Sequence, residues 1–422
     1  MIGFWERSVP VFDVPLRSRT LYVLTGLFLL GFGLVTYREL AGLGPVSGMN
    51  DAYAWGIWKT FNVMTLTGLG SGGFAVGMAA YLFGRKRLHV VMRTALLTSF
   101  LAYISGMTLL AADVGRPWNM YLVLMPWRWN YHSPLLEVAV CMPLYAMFPL
   151  FLENIPPTLE WVHEFRPNFR PLVDKATKVM SKFYPLVVGL AYLLPAMHQS
   201  SLGALMLLAG ERVHPLWQTP FLPLLYVWAA AFMGFSCVAG TLLFCAIMWK
   251  RPMDLDILQE LGRITCYVII AWLVFRFSDL LVNGKLPLAF QFNQYAILFW
   301  IEMGILTTAA MTLYDSAKLK NARMMFHAHI ITAIGGMMYR FDPTTLAFKP
   351  KDGAFYFPTA MEILVALGFV SFAVAVFIVA AKKLSILPAP ISYWHDYERE
   401  VLANTPEPQI SASGQALAAA QD

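Results

Sequence analysis

Ten ionisable side chains stand inside or at the rim of long apolar runs: Lys59, Asp113, Glu137, His198, Arg276, Asp279, Glu302 and Glu362, with His327 and His329. An ionisable group in a bilayer is costly, so each is a candidate for chemistry. Asp113 opens the strongest local motif, Asp113-Val114-Gly115-Arg116-Pro117-Trp118. Glu137 follows 24 positions later, after an aromatic segment holding Trp118, Tyr121, Trp127, Trp129 and Tyr131. Two carboxyls, a guanidinium and aromatic rings suit a flat, lipid-soluble ligand whose oxygens are hydrogen-bonded and protonated. A quinone is such a ligand, and its reduction takes two electrons and two protons. A carboxyl in a dry site can hold a proton near neutral pH and pass it on. The plainer readings stay open: an Asp113–Arg116 ion pair closing a helix end, and a structural hydrogen bond for Glu137. His198-Gln199-Ser200-Ser201 can hydrogen-bond a quinone carbonyl, or only a neighbouring helix. Arg276 and Asp279, three apart, share a helix face and can pair. With Glu302 they read as a proton route or as a satisfied buried network. Glu362 reads as structural or interfacial, and Lys59 as interfacial.

The elements that position these groups are transmembrane helices. Hydrophobic residues make up 58% of the 422 positions and charged residues 13%, about half the usual charged share of a soluble protein. Such a chain requires lipid as its solvent. A span takes about 20 apolar residues, and ten candidates lie near 20–38, 54–83, 90–112, 134–152, 181–209, 220–249, 263–283, 294–314, 323–340 and 359–381. The ninth is the least apolar. The first reads as a retained span rather than a cleaved signal. With both ends inside, inner segments carry 21 Lys/Arg and outer segments 8. The positive-inside bias therefore puts both termini in the cytoplasm. The net charge of +6 is an orientation signal, not a nucleic-acid one.

Spans two to five resemble spans six to nine. Arg85-Lys86-Arg87 and Lys250-Arg251 end the first helix of each set, Asp113 and Asp279 end the next, and Glu137 and Glu302 open the one after. Arg85 to Asp113 is 28 positions and Lys250 to Asp279 is 29. Four spans per repeat make the repeats parallel. The expected fold is an all-α integral membrane protein of about ten helices, two tandem four-helix bundles plus two peripheral helices. The divisions are 1–53 (N-terminal segment and first span), 54–217 (first bundle), 218–342 (second bundle), 343–398 (last span) and 399–422 (disordered cytoplasmic tail). The run Gly68 to Gly73 suits a tight helix crossing. It is no phosphate loop, since no strand precedes it and no Gly-Lys-Ser/Thr follows.

Four cysteines without a C-x-x-C pair offer no iron–sulfur framework. Haem b takes two facing histidines at one depth. The nearest approach to such a pair, His132 and His198, fails because His132 precedes its helix. No haem is expected, so electrons must come from a partner.

Seven segments carry a resemblance: Trp55-Gly56-Ile57-Trp58, Asp113-Val114-Gly115-Arg116, Leu136-Glu137-Val138-Ala139-Val140-Cys141-Met142, Met197-His198-Gln199-Ser200-Ser201, Val213-His214-Pro215-Leu216-Trp217-Gln218, Phe299-Trp300-Ile301-Glu302 and Tyr356-Phe357-Pro358-Thr359. Over nearly all ten helices the chain resembles the NrfD/polysulfide-reductase membrane-subunit family, in its HybB-like branch, the membrane subunit of respiratory Ni/Fe-hydrogenases. The resemblance implies a haem-free, quinone-reactive subunit in a bacterial cytoplasmic membrane. Its implied partners are a ferredoxin-like iron–sulfur subunit and hydrogenase, or another catalytic subunit, on the periplasmic face. It implies Asp113, Arg116 and His198 beside the quinone and Glu137 in proton transfer; the reading of the residues adds Gln199 and Trp118 to the quinone site and Arg276, Asp279 and Glu302 to proton transfer, with no metal held by this chain. The branch has Arg-Phe-Gly-Glu where this chain has Arg276-Phe277-Ser278-Asp279, which shortens one carboxylate. Other expectations compatible with the residues are a different reductase complex of the same family, a proton or ion transporter, and a bare anchor for a periplasmic enzyme.

Overall fold

A computed structural model describes residues 8–9, 18–53, 56–249, 254–350 and 353–388. The expected tail 399–422 and the basic residues Arg7, Arg17, Lys250 and Arg251 lie outside the described residues. The helices are α1 (Arg19–Ala41), α2 (Trp58–Leu82, interrupted), α3 (Met92–Asp113), α4 (Pro134–Tyr145, running on to Glu153), α5 (Ile155–Phe165), α6 (Arg170–Leu208), α7 (Leu222–Trp249), α8 (Leu255–Val282), α9 (Gln294–Leu319), α10 (Ala322–Phe341) and α11 (Ala360–Lys383). Two short strands, β1 (Ser8–Val9) and β2 (Leu387–Pro388), pair antiparallel. The chain is all-α and multi-spanning: nine of the described helices are long and apolar enough to cross a membrane. The ninth expected span is present as α10. It falls short on apolarity because one face carries the buried polar residues His329, Thr332 and Arg340, while Ile330 and Ile334 on the other face stay exposed.

Local chemistry sets the helix ends. Thr359 and Glu362 form a capping box at α11, which satisfies two otherwise orphaned donors. Asp254, Asn293 and Asn321 cap α8, α9 and α10 through their side chains. Lys320, at φ 51°, makes the tight turn between α9 and α10.

Helix α2 is broken at Gly70-Ser71 and flanked by π-helical turns over Trp58–Thr65 and Met78–Leu82. The glycine run is a crossing point, as expected. A Cβ on Gly234 of α7 would sit 2.6 Å from the Ser71 carbonyl carbon, and one on Gly72 would meet Val238 at 2.6 Å. So α2 and α7 touch backbone to backbone. Around them α2 packs on α3, α4 on α6, α6 on α7, and α8, α9 and α10 on one another. α1 lies against α11, where Gly31 meets Gly368, and α11 packs on α3.

Two connecting stretches are buried at the end of the molecule away from the basic loops, the second opening with a π-helical turn over Asp342–Leu346. In the first, Val213, His214, Leu216, Trp217 and Thr219 are all buried. In the second, Asp342, Thr344, Ala347 and Phe348 are buried. They meet at a bridge between Val213 and Phe348.

Candidate functional site

His198 and Gln199 are fully buried on α6, and Ser201 lies one residue beyond the pair's neighbour Ser200. Thr67 on α2 organises them. Its hydroxyl donates to the Val63 carbonyl, so its oxygen can only accept. It accepts from Gln199 Nε2 at 3.0 Å and contacts His198 Nε2 at 3.3 Å. That contact makes Nε2 the protonated nitrogen and Nδ1 a bare acceptor, an assignment from the hydrogen-bond network. Nδ1 of His198 and Oε1 of Gln199 have no hydrogen-bond partner. Buried polar atoms are normally paired, so these two acceptors retain capacity for a ligand's O–H. The network thus differs from the expected donation to a quinone carbonyl: in this state His198 offers a lone pair.

Glu137, in the first turn of α4, is exposed on the helix surface. It nevertheless accepts a hydrogen bond from Ser201, whose hydroxyl also contacts the Met197 carbonyl at 2.7 Å. One carboxyl is therefore reachable from outside the helix stack and joined to the turn of α6 that carries His198. The structure brings Glu137, His198 and Gln199 onto the paired helices α4 and α6.

Asp113 is placed differently. Its side chain is buried at the end of α3, with Lys59 Nζ at 3.4 Å. Lys59, expected at an interface, supplies the cation that spacing assigned to Arg116. The reason is local: α3 ends at Asp113 and Val114 is extended, so Arg116 leaves the helix and is exposed. Trp118 is 67% exposed. Arg116 and Trp118 thus lie on the surface, outside the buried His198 network. Glu362 is structural, holding the amides of Gly48 and Thr359 and the Tyr356 hydroxyl at 2.8–2.9 Å.

The second set forms one buried network. Arg276 Nη1 lies 3.7 Å from Asp279, and Arg276 also donates to the Leu216 carbonyl. Asp279 accepts from Thr219 at 3.0 Å and Asn283 at 2.8 Å. Glu302 accepts from Trp217 Nε1 at 2.8 Å. The penetrating segment 213–219 thus supplies most of the partners. Asp342 was missed by sequence reasoning: beside Pro343, it reads as a loop acid. It is fully buried and in side-chain contact with Glu302. Both Asp342 oxygens and Glu302 Oε1 lack a donor.

Arg340, at the edge of the ninth expected span, was not singled out either. Its guanidinium stacks 4.0 Å over the Tyr226 ring and donates to the Tyr226 carbonyl at 2.7 Å. Outside the spans, His214 stacks on Tyr295 at 4.2 Å. Burial, with the Lys349 charge second, pushes its imidazole down to about 4. Its Nδ1 accepts from the Leu216 amide at 3.3 Å, which requires the neutral ring. Two buried histidines make similar contacts: His198 on α6 with Thr67 of α2, and His329 on α10 with Ser236 of α7 at 3.2 Å.

Among the described residues no three His, Cys, Asp or Glu side chains converge to hold a metal ion, and the four cysteines are free thiols. The family profile described as "Polysulphide reductase, NrfD" matches residues 45–342, which holds every expected site residue. The chain is 35% identical to the "Probable Ni/Fe-hydrogenase 2 b-type cytochrome subunit" of Escherichia coli (strain K12), over 88% of this chain and 93% of that protein. It is 27% identical to the "Menaquinone reductase, integral membrane subunit" of Nitratidesulfovibrio vulgaris, over 85% of this chain and 89% of that one. With buried polar networks in both repeats and a match across most of its length, this multi-spanning chain belongs to the NrfD polysulphide reductase family.

Proposed function

We propose that the chain is the haem-free, quinone-binding membrane subunit of a respiratory oxidoreductase. It exchanges electrons between an iron–sulfur partner and the menaquinone pool, with a periplasmic [NiFe] hydrogenase as the catalytic partner. The observation that carries this reading is the Glu137–Ser201 link: an exposed carboxyl tied to the helix turn whose His198 and Gln199 keep unpaired acceptor atoms. The relatives' names, one a hydrogenase subunit and one a menaquinone reductase subunit, support the same class.

A bound quinone supplies two-electron, two-proton chemistry. The chain's residues bind it and handle its protons. Gln199 Oε1 and His198 Nδ1 accept from ligand hydroxyls, and protonated His198 donates in the reverse direction. Glu137 exchanges the second proton. The buried network of Arg276, Asp279, Glu302 and Asp342 is a further proton-handling site in this reading. Asp113 with Lys59 shapes the rim, and Arg116 and Trp118 face the partner subunit and lipid there. The repeats are read as tandem four-helix bundles over 54–217 and 218–342, with 1–53 and 343–398 peripheral. The basic loops and both termini face the cytoplasm of an inner membrane, so the Asp113–Glu137 end is periplasmic.

The test is quinone reduction by the assembled complex carrying Glu137→Gln, with hydrogen as donor and subunit content measured in parallel. Loss of a general acid–base group lowers the rate about 100-fold or more. A wild-type rate in a fully assembled complex removes the role given to Glu137 and favours an anchor that only docks its partner.

A further inference from the structure

Helix α6 is longer than a bilayer requires. Arg170–Leu208 runs for 39 residues, about 58 Å at 1.5 Å per residue. A hydrocarbon core takes about 30 Å, and the headgroup layers bring the total to about 40–45 Å. Measured along the helix from Leu208, the hydrocarbon ends near Val188, with Lys182 about 39 Å away and Lys178 about 45 Å. The usual tilt of about 20° shortens both depths. Lys182 and Lys178 therefore fall in the headgroup layer at the end of the basic loops, and Lys175 at its outer edge.

The three lysines share one face of α6. They are spaced three and four apart, and Leu186 and Leu193 continue the same stripe at steps of four and seven. Leu186 is 56% exposed and Leu193 54%, so the stripe is the lipid-facing side of the span. Lys175, Lys178 and Lys182 are exposed as well. Among the described residues none of the three makes an ion pair; the adjacent Asp174 lies 3.7 Å from His163 instead. Val179 and Phe183, both exposed, stand beside them. Lysines interleaved with exposed aromatic and aliphatic side chains are the composition of a helix lying at a membrane interface.

Two contacts hold this extension in place. Arg170 donates to the His163 carbonyl of α5 at 3.0 Å. Arg93 of α3 donates to Glu160 of α5 at 2.8 Å. Through α5 the foot of α6 is thus tied to the helix stack, and the lysine row is held at a fixed depth before any lipid arrives.

We propose that Lys175, Lys178 and Lys182 bind the phosphate headgroups of anionic phospholipids, whose acyl chains lie on Phe183, Leu186 and Leu193. Three cations without carboxylate partners, at headgroup depth, match phosphodiester charge. Each near-surface lysine strengthens that attraction about fivefold. The lipid site is separate from the polar network at the His198 turn, and its test needs no quinone.

The full chain is stripped of lipid in neutral detergent and offered phosphatidylglycerol or phosphatidylcholine with identical acyl chains. Native mass spectrometry reads the lipid retained. Wild type prefers phosphatidylglycerol about tenfold or more, and added salt weakens the preference. Replacing all three lysines by glutamine removes most of it, and replacing them by arginine keeps it. Neutralising Arg85, Lys86 and Arg87 instead, an equal change of charge in another basic loop, leaves it in place. Equal retention of the two lipids by wild type overturns the site. So does a wild-type preference in the triple glutamine variant. An equal loss in the loop variant reduces the effect to a general property of the basic end and overturns the site too. If the triple variant aggregates, Lys178→Gln and Lys182→Gln decide singly, each lowering the preference about fivefold.

Discussion

Lys59 stands where spacing placed Arg116. Residues three apart pair only if the helix continues between them, and α3 stops at Asp113. The Asp113 side chain is 1% exposed and Lys59 32%. Lys59→Met therefore leaves a buried carboxylate with less compensation. The cost is roughly 2 kcal/mol, below the about 3–5 of a wholly buried pair because solvent screens Lys59. Asp113→Asn costs less, and the double variant recovers part of the loss. Thermal unfolding of the three in detergent checks the order; equal Tm values for K59M and wild type remove the pair as a stabilising contact. The same residues show what was legible. Asp113, Glu137, His198, Arg276, Asp279 and Glu302 were visible as polar residues in apolar runs. Asp342 was not, since it stands beside Pro343 and past the last position of its expected span. Only the fold shows that stretch to be buried.

Segment 213–219 reads as an outer loop but packs as an interior element. Its partners are Asp279, Glu302 and Arg276, so it closes the second repeat with side chains rather than with a helix. His214 makes this closure sensitive to acid. Its folded value of about 4 lies below the ordinary 6.5, so the fold favours the neutral ring. The sign follows from linkage: the contribution is complete above pH 6.5 and is lost as pH falls toward 4, because the unfolded chain then binds the extra proton. Tm should fall over that window, and His214→Phe should flatten the dependence while keeping the stack on Tyr295. An unchanged slope in the variant means another group titrates there. At the α2–α7 crossing the backbone leaves no space at Gly234, whereas a Cβ on Gly240 of the same helix meets nothing within 4 Å. Gly234→Val costs about 3 kcal/mol or more by overpacking, and Gly240→Ala is neutral. Size-exclusion profiles of both proteins distinguish them; a monodisperse, wild-type-like G234V contradicts the crossing.

Across the whole molecule, helix number and order were legible because apolarity is a direct consequence of the lipid solvent. The polar face of α10 was less so, since a face packed on other helices can carry polar groups that lipid would not tolerate. The similar spacing of Asp113 and Glu137 to Asp279 and Glu302 was legible in the sequence, and the structure adds the His–hydroxyl contacts at Thr67 and Ser236. The spans also differ widely in apolarity. The strongly buried Trp58–Leu82 has a mean hydropathy of 1.3, whereas Ala360–Lys383 reaches 2.9. The helices packed at Gly31 and Gly368, α1 and α11, have α2 to α10 between them in the chain. During synthesis the Gly31 surface of α1 therefore gains its α11 partner only after those helices have been made. The least apolar segments gain their solvent only as neighbours arrive. A ribosome that stalls before residue 360 releases a bundle in which α1 has no α11 to pack on.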